Sequence, residues 1–318
     1  MTTWGPFFIF LAAMLWATDA PFRYHLTQNL GASFIVLAEH AVNVLLILPF
    51  IFLGWKEIKN LDWRQWLAML VIGIGASAVA SILFTKAFSF VNPSVAIVLQ
   101  KLQPLIVICL ATSFLKERLG KRFWLWAILA LVGAYIISFP DFKPQLYYGE
   151  AWNPNTVGVL LALGAAALWG LGTVLGRYLL GTAMSFKTVT ALRFLIAFLF
   201  LAVLSIRSGA LETMREITST DILFIIIIAI TSGFTSLFLY YRGLENTRAS
   251  VATLAELGFP FLAVIVNAAA LGFFLKPVQI AGMILLLLAV WRLSKSNQLP
   301  HGLPLVKLRA TPQGTCLR

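Results

Sequence analysis

The sequence predicts an all-α polytopic membrane protein with ten transmembrane helices, arranged as two inverted five-helix repeats. Hydrophobic residues make up 60% of its 318 residues and charged residues only 11%, whereas charged residues form about a quarter of an ordinary soluble domain. The apolar residues occur in blocks of about twenty, the length that a helix needs to cross a hydrocarbon core of about 30 Å. A weak internal similarity also relates the two halves of the chain.

Ten apolar segments, named span 1 to span 10 here, follow one another along the chain. The first five are residues 4–22, 33–54, 66–85, 93–115 and 123–139. A polar stretch, residues 140–155, separates them from the second five, which are residues 156–176, 186–206, 222–241, 249–271 and 277–293. The predicted domains are therefore a first repeat of residues 1–145, a second repeat of residues 146–295 and a polar cytoplasmic tail of residues 296–318.

The charge distribution indicates how the protein is oriented. A formal net charge of +12 can indicate nucleic-acid binding, but the basic residues here lie in short connectors between apolar blocks, so no nucleic-acid partner is expected. When the connectors are assigned alternately to the two sides of the membrane, one side carries sixteen lysines and arginines and the other six. This asymmetry predicts an integral protein of the plasma (inner) membrane with both termini in the cytoplasm.

Short sequence matches link the two halves in the same order. At a constant shift of 156 residues, Ser94-Val95-Ala96 recurs as Ser250-Val251-Ala252, and Pro104 recurs as Pro260. Because each half holds five spans, an odd number, the second half must enter the membrane from the opposite face. Inverted repeats of this kind are typical of secondary transporters, which bind their substrate between the halves near the membrane midplane.

The segment from Ala87 to Leu119 resembles the EamA repeat of the drug/metabolite transporter superfamily. The matching positions are Ala87-Phe88, Pro104, Glu117, Leu119 and Gly133 in the first half, and Gly243-Leu244, Pro260, Leu275 and Gly282 in the second. Both copies depart from the pattern, because Phe273 stands where the acidic residue would align and Trp126 where Gly282 would match. The resemblance covers residues 4–294. It implies a ten-helix exporter or exchanger of small metabolites with a cavity between the halves, and it implies no particular substrate.

Ionisable side chains inside the spans are candidates for function, because a charge at the centre of a bilayer costs roughly 2.5–3.5 kcal/mol or more. Glu39 in span 2 and Lys101 in span 4 lie at similar depth in the outer half. Arg193 in span 7 and Glu256 in span 9 lie at similar depth in the cytoplasmic half. We therefore expect the ion pairs Glu39–Lys101 and Arg193–Glu256, either as outer and inner closures of one cavity or as ties between helices.

Further polar and aromatic residues complete the predicted site. Asp19 and Arg23 are four residues apart, which predicts a local ion pair. His40 either takes part in proton coupling with Glu39 or packs as a hydrogen-bonded histidine. The remaining candidates are a polar turn before Pro104 and two tryptophans at matching depth, which either line a cavity or pack helices. The predicted substrate-binding residues are Trp16, Glu39, His40, Asn43, Gln100, Lys101, Gln103, Trp169, Arg193 and Glu256.

The predicted function is that of a secondary transporter. The sequence contains no His-Glu-x-x-His, no Cys-x-x-Cys and no phosphate-binding glycine loop, so neither an enzyme nor a cofactor or metal is expected. The expected substrate is a small metabolite, first an amino acid or similar zwitterion, moved by export or exchange through alternating access. The expected partners are this substrate, the lipid bilayer and, under the coupling hypothesis, protons. The alternative is a passive channel for small solutes.

Overall fold

The structure is a computed structural model that describes residues 4–115, 122–143, 147–148, 151–182, 184–211, 214, 217–247, 251–252 and 255–296. The predicted cytoplasmic tail therefore lies, apart from residue 296, outside the described residues. Glu117 and Leu119, which contribute to the family resemblance, also lie outside them.

Helices occupy all ten predicted spans. In the first half they are Gly5–Ala17 and Asp19–Leu26 (span 1), Ala32–Leu53 (span 2), Trp63–Leu70, Val71–Val79 and Ala80–Ala87 (span 3), Pro93–Leu99, Gln100–Leu102 and Gln103–Leu115 (span 4), and Phe123–Ser138 (span 5). In the second half they are Pro154–Leu180 (span 6), Phe186–Ser208 (span 7), Ser219–Ile228, Ala229–Thr235 and Ser236–Glu245 (span 8), Gly258–Leu271 (span 9), and Pro277–Ser296 (span 10). A short helix, Trp55–Lys59, follows span 2.

The helices confirm an all-α polytopic membrane fold. Within the described residues, seven helices are long and apolar enough to cross a membrane, and three shorter apolar helices, in spans 5, 9 and 10, accompany them. Ten complete crossings therefore remain a prediction. Large apolar side chains such as Phe52, Leu53 and Trp124 are exposed on the outside of the bundle, whereas Arg23 and Glu39 are buried inside it. This distribution is the reverse of that in a soluble protein and suits a hydrocarbon solvent.

A short β-hairpin, which the sequence analysis did not predict, lies in the polar stretch between the halves. Tyr147–Tyr148 pairs antiparallel with Ala151–Trp152, and Tyr147 lies opposite Trp152. The ring centroids of Tyr147 and Trp152 are 5.0 Å apart. Aromatic cross-strand pairs stabilise short sheets, which explains why this stretch forms strands despite its polar composition.

Spans 3 and 8 begin in the same way. The Asp62 side chain accepts a hydrogen bond from the backbone N–H of Gln65, and the Gln65 side chain accepts one from the backbone N–H of Asp62. Thr218 and Asp221 form the same reciprocal capping box at the start of span 8. Thr218 follows Asp62 at the shift of 156 residues found in the sequence, so the two halves share their helix-start chemistry.

The two halves also share their helix irregularities. The middle of span 3 is a π-helix at Val71–Val79, and the middle of span 8 is a π-helix at Ala229–Thr235. Span 4 tightens to a 3-10 turn at Gln100–Leu102 just before Pro104. Span 9 has a turn at residues 256–257, just before Pro260. Such irregular turns in membrane helices commonly occur where a cavity or a functional site is formed.

The main contacts between a span of one half and a span of the other recur between the corresponding spans when the two halves are exchanged. Span 1 packs against spans 8 and 9, and its counterpart, span 6, packs against spans 3 and 4. Span 2 packs against span 8, and span 7 against span 3. Spans 2 and 7, 4 and 9, and 5 and 10 pack directly on their own counterparts. Exchanging the halves therefore reproduces the packing, as a two-fold relation would, although the opposite orientation of the halves in a membrane remains a prediction.

Spans 5 and 10 form the closest of these counterpart contacts, and it depends on two glycines. A Cβ atom at Gly133 would lie 2.8 Å from the carbonyl oxygen of Gly282 and 2.8 Å from the backbone nitrogen of Leu286. A Cβ atom at Gly282 would lie 3.0 Å from the carbonyl oxygen of Gly133. Small residues that let two backbones approach are a common basis of helix packing in membranes.

We expect Gly133→Ala to weaken the contact between spans 5 and 10. The added methyl group would collide with backbone atoms, which cannot rotate away as a side chain can, so the free energy of unfolding should fall by about 1–3 kcal/mol. The measurement is the midpoint of thermal unfolding in detergent.

Gly75→Ala is the matched control, because a Cβ atom there meets nothing nearer than Leu168 Cδ2 at 3.6 Å. Its midpoint should stay close to that of the wild type. An unchanged midpoint for Gly133→Ala would contradict the close packing of the two helices.

Candidate functional site

A cavity of about 120 Å³ lies between the two halves, and its walls are formed by the middle sections of the spans. The predicted site residues that line it are Trp16, Glu39, His40, Gln100, Gln103, Trp169, Arg193 and Glu256. Lining residues absent from the predicted set are Asp19, Arg23, Ser77, Ser81, Phe84, Gly172, Thr173, Phe194, Ser232, Gly233, Leu237, Tyr240, Tyr241 and Phe259.

Arg23 connects three spans at one end of the cavity. Its Nε donates to Asp19 Oδ2 at 2.7 Å, and its Nη2 donates to Glu39 Oε2 at 3.0 Å. Its Nη1 donates to Thr85 Oγ1 at 2.9 Å. The predicted Asp19–Arg23 ion pair is confirmed. The predicted Glu39–Lys101 pair is wrong, because the carboxylate of Glu39 pairs with Arg23.

Lys101 pairs with Glu256. Its Nζ lies 3.6 Å from Glu256 Oε2 and 4.5 Å from the centroid of the Phe259 ring. Lys101 is only 1% exposed and does not line the cavity, whereas Glu256 and Phe259 do. Lys101 therefore compensates the charge of Glu256 from behind the cavity wall. The predicted Arg193–Glu256 pair is wrong.

Helix packing explains both wrong pairs. Span 2 packs mainly against spans 3, 7 and 8, and span 4 mainly against spans 5, 6, 9 and 10. Glu39 and Lys101 therefore lie at similar depth on helices that have different neighbours. The same holds for Arg193, because span 7 packs mainly on spans 2, 3 and 8, whereas span 9 packs on spans 1 and 4.

Arg193 instead bonds to neutral groups. Its Nε donates to Ser77 Oγ at 3.1 Å, its Nη1 to the Tyr241 hydroxyl at 3.0 Å, and its Nη2 to the carbonyl oxygen of Ala76 at 2.9 Å. Tyr241 is also within cation–π range, since the guanidinium carbon lies 5.8 Å from its ring centroid. Arg193 thereby joins span 7 to spans 3 and 8.

His40 continues this network, and its hydrogen bonds fit a neutral imidazole. Its Nδ1 lies 2.8 Å from the carbonyl oxygen of Val36, which can only accept, so Nδ1 carries a hydrogen. Its Nε2 lies 3.1 Å from Ser77 Oγ, and that hydroxyl can donate to Nε2 while it accepts from Arg193. Each donor then meets an acceptor. A second proton on His40 would place an imidazolium beside the guanidinium of Arg193.

A second network joins spans 4, 6 and 8. Gln103 Nε2 donates to Thr173 Oγ1 at 3.3 Å, and Thr173 Oγ1 donates to the carbonyl oxygen of Trp169 at 3.1 Å. The Tyr240 hydroxyl lies 3.0 Å from Thr173 Oγ1, within hydrogen-bond distance. The Tyr240 ring packs against Trp16, with centroids 5.4 Å apart. The predicted tryptophans therefore line the cavity and also take part in helix packing.

The two π-helices present carbonyl groups at matching positions. The carbonyl oxygen of Ala76 in span 3 accepts from Arg193, a residue of the second half. The carbonyl oxygen of Ser232 in span 8 accepts from Trp16 Nε1, a residue of the first half, at 3.0 Å. Residue 232 follows residue 76 at the shift of 156. Each half therefore donates a side-chain hydrogen bond to the π-helix of the other half, and both donors line the cavity.

Asn43 lies behind the wall instead of on it. It is fully buried, and in the described part of the chain neither of its side-chain amide atoms has a hydrogen-bond partner. A Cβ atom at Gly233, which does line the cavity, would lie 2.7 Å from Asn43 Nδ2. The glycine in the π-helix of span 8 therefore leaves the space that Asn43 fills.

The charges around the cavity are balanced in number but unequally paired. Asp19, Glu39 and Glu256 supply three carboxylates, and Arg23, Lys101 and Arg193 supply three cations. Two carboxylates meet at Arg23, whereas Arg193 has no ion-pair partner among the described residues. In their ordinary ionised forms these six groups sum to zero, with two carboxylates on Arg23 and none on Arg193.

Three buried acceptor atoms at the cavity remain open. Asp19 Oδ1, Gln100 Oε1 and Glu256 Oε1 have no hydrogen-bond partner within the described part of the protein, and all three residues line the cavity. Buried polar atoms are usually hydrogen-bonded. Each of these three oxygens can accept a further hydrogen bond, although almost none of its surface is exposed in this conformation.

Comparisons with known proteins agree with this architecture. The EamA-like transporter family matches residues 3–139 and 156–294. The riboflavin transporter ImpX of Fusobacterium nucleatum subsp. nucleatum is 32% identical over 299 residues, which cover 92% of this chain and 98% of that protein. The uncharacterized transporter YwfM of Bacillus subtilis is 25% identical over 189 residues, 59% of each chain. One solved crystal structure shares the fold, with a TM-score of 0.63 and 16% identity over 91% of this chain and 96% of that one.

Double-mutant cycles should show coupling between Lys101 and Glu256 and none between Lys101 and Glu39. Lys101→Met alone leaves the buried carboxylate of Glu256 without its counter-charge, at a cost of about 3–5 kcal/mol in the free energy of unfolding. Adding Glu256→Gln should recover part of that loss, with a coupling energy of about 0.5–3 kcal/mol. The measurement is denaturant-induced unfolding in detergent.

The matched comparison is Lys101→Met combined with Glu39→Gln, for which the two losses should simply add. Coupling of Lys101 to Glu39 instead of Glu256 would contradict the pairing described here.

Proposed function

The chain belongs to the EamA-like transporter family, and from this membership we propose that it is a secondary transporter that carries riboflavin, or a closely related flavin, by alternating access. As a member of this family it is a membrane transporter for a small metabolite and not an enzyme. The observation that carries the flavin assignment is the 32% identity to the riboflavin transporter ImpX over nearly the full length of both chains.

The walls of the cavity suit a flavin. Its isoalloxazine part is a flat, three-ring aromatic system, and Trp16, Phe84, Trp169, Tyr240 and Phe259 offer aromatic surfaces on several sides. Aromatic rings stack favourably on such surfaces. Riboflavin has no net charge near neutral pH, which matches the balanced charge of the site.

The polar groups at the cavity also match flavin chemistry. A flavin carries an imide N–H and the hydroxyl groups of its ribityl chain, and these donors need acceptors when they leave water. The open oxygen atoms of Asp19, Gln100 and Glu256 are acceptors of that kind. The carbonyl groups of the flavin need donors, which the amide of Gln103 and the guanidinium of Arg193 can supply.

Alternating access is supported by the relation between the two halves. In our proposal the repeats, residues 1–145 and 146–295, are inverted copies that rock against each other around the cavity. Trp16 and Arg193 each donate to the π-helix of the opposite half. Opening of the cavity on one side of the membrane would break one of these two hydrogen bonds and keep the other. Opening on the opposite side would break the second bond and keep the first.

The bias of sixteen basic residues to six supports a protein of the plasma membrane with cytoplasmic termini. Arg23 was counted among the six, but it is buried at the cavity instead of exposed in a connector. Without it the side with fewer basic residues has five, so the bias becomes stronger.

An amino acid is the second candidate substrate. The two carboxylates at Arg23 would suit the ammonium group of a zwitterion, and the guanidinium of Arg193, unpaired among the described residues, would suit its carboxylate.

Proton coupling through Glu39 and His40 has less support. Glu39 is already paired with Arg23, and the hydrogen bonds of His40 fit its neutral form.

Transport should be tested in proteoliposomes with labelled riboflavin, amino acids and nucleosides. We expect saturable riboflavin uptake that is faster when the vesicles are preloaded with unlabelled riboflavin, because a carrier exchanges its substrate whereas a channel does not. Trp169→Ala should raise the half-saturating riboflavin concentration about 3- to 10-fold, through loss of stacking.

Trp124→Ala is the matched control, since Trp124 is 69% exposed on the outer surface of the bundle, and its uptake should equal that of the wild type. An imposed pH gradient, with Glu39→Gln alongside, examines proton coupling in the same vesicles. Saturable exchange of an amino acid without riboflavin uptake would overturn the flavin assignment, and unsaturable flux without exchange would indicate a channel.

A further inference from the structure

Arg193 differs from the other cations at the cavity. Arg23 is bound to two carboxylates, and Lys101 is paired with Glu256 and lies behind the wall. Arg193 lines the cavity, is only 6% exposed, and has no ion pair within the described residues. An uncompensated cation inside a membrane bundle is costly unless it meets a strong acceptor or a functional partner.

The guanidinium of Arg193 has N–H groups that these contacts do not use. Of its five N–H groups, one on Nε, one on Nη1 and one on Nη2 are used for Ser77, Tyr241 and the carbonyl of Ala76. One N–H on each Nη atom has no acceptor among these contacts. When the unused N–H groups of Nη1 and Nη2 are the pair at the end of the guanidinium, they point the same way and match a molecular edge that presents two adjacent acceptors.

We propose that Arg193 is the residue that recognises the substrate, by donating two hydrogen bonds to an edge on which a carbonyl oxygen adjoins a ring nitrogen. This proposal rests on the proposed function, since the isoalloxazine ring has two such edges, N1 with O2 and N5 with O4. Arg193 would hold one of these edges while the aromatic walls cover the faces of the ring.

The surroundings of Arg193 strengthen such an interaction. Its water has already been replaced by Ser77, Tyr241 and the Ala76 carbonyl, so binding requires little further desolvation of the cation. These contacts also hold the guanidinium in one orientation before the substrate arrives. A charged hydrogen bond in such an environment is stronger than one at an exposed surface.

The test compares riboflavin with 1-deazariboflavin and 5-deazariboflavin, each of which replaces one ring-nitrogen acceptor by a C–H group. Binding to the full-length protein in lipid nanodiscs is measured by quenching of flavin and tryptophan fluorescence. The wild type should bind one of the two deaza compounds about 10- to 100-fold more weakly than riboflavin. Arg193→Gln should bind riboflavin about equally weakly and should no longer distinguish it from that compound.

Arg207→Gln is the matched control, because Arg207 lies on the same helix, Phe186–Ser208, and is exposed. It should keep the affinity and the discrimination of the wild type. Arg193→Lys, which keeps the charge but not the two-pronged donor, should bind riboflavin yet lose the discrimination.

Equal binding of all three flavins by the wild type would overturn the proposal even if every Arg193 variant failed to fold. Discrimination that survives in Arg193→Gln would overturn it as well. In either case riboflavin transport by the wild type would leave the proposed function intact. Failure of the wild type to bind or transport riboflavin would instead reject the flavin assignment itself.

Discussion

Charge compensation inside an apolar bundle is the constraint on which this structure depends. Hydrocarbon cannot solvate an ion, so each buried charge must be met by another side chain or by backbone groups. Arg23 meets two carboxylates and thereby holds spans 1, 2 and 3 together. Lys101 meets Glu256 and ties span 4 to span 9. Arg193 finds no carboxylate in the described part of the chain and uses neutral oxygen atoms of spans 3 and 8. These three cations fix the relative positions of the helices and shape the cavity between them.

The π-helices connect this constraint to function. A wide turn in span 3 and another in span 8 bring the carbonyl groups of Ala76 and Ser232 within reach of donors from the opposite half. The donors, Trp16 and Arg193, also line the cavity, so under the proposed function a bound molecule would contact the side chains that join the two halves. Substrate binding and the relative position of the halves would then be linked through these two side chains. This linkage is what a carrier needs and a static pore does not, because a carrier must rearrange when its substrate binds.

The fold could be predicted from the sequence because apolar block length and connector charge are local properties. The ten segments all contain helices, and eight of the ten proposed site residues line one cavity, because polar residues within apolar blocks avoid lipid. The pairing of Glu39 with Lys101 and of Arg193 with Glu256 could not be predicted, since depth along a helix does not reveal which helix stands beside it. Asn43 lies one turn after Glu39 on the same face of span 2, but its side chain packs behind Gly233. Tyr240, Tyr241 and Ser77 were missed because aromatic and hydroxyl residues in a span carry no signal that separates lining from packing.

If the polar cavity between the halves is the substrate site, a bound substrate should shield a thiol on its wall from labelling. Ser81 lines the cavity, so Ser81→Cys, made in a background with Cys109→Ser and Cys316→Ser, places one reactive thiol on its wall. We expect riboflavin to slow the reaction of this thiol with a small maleimide, with half-protection at the concentration that half-saturates transport. A labelling rate that riboflavin does not change, in a protein that still transports riboflavin, would place the substrate site outside this cavity.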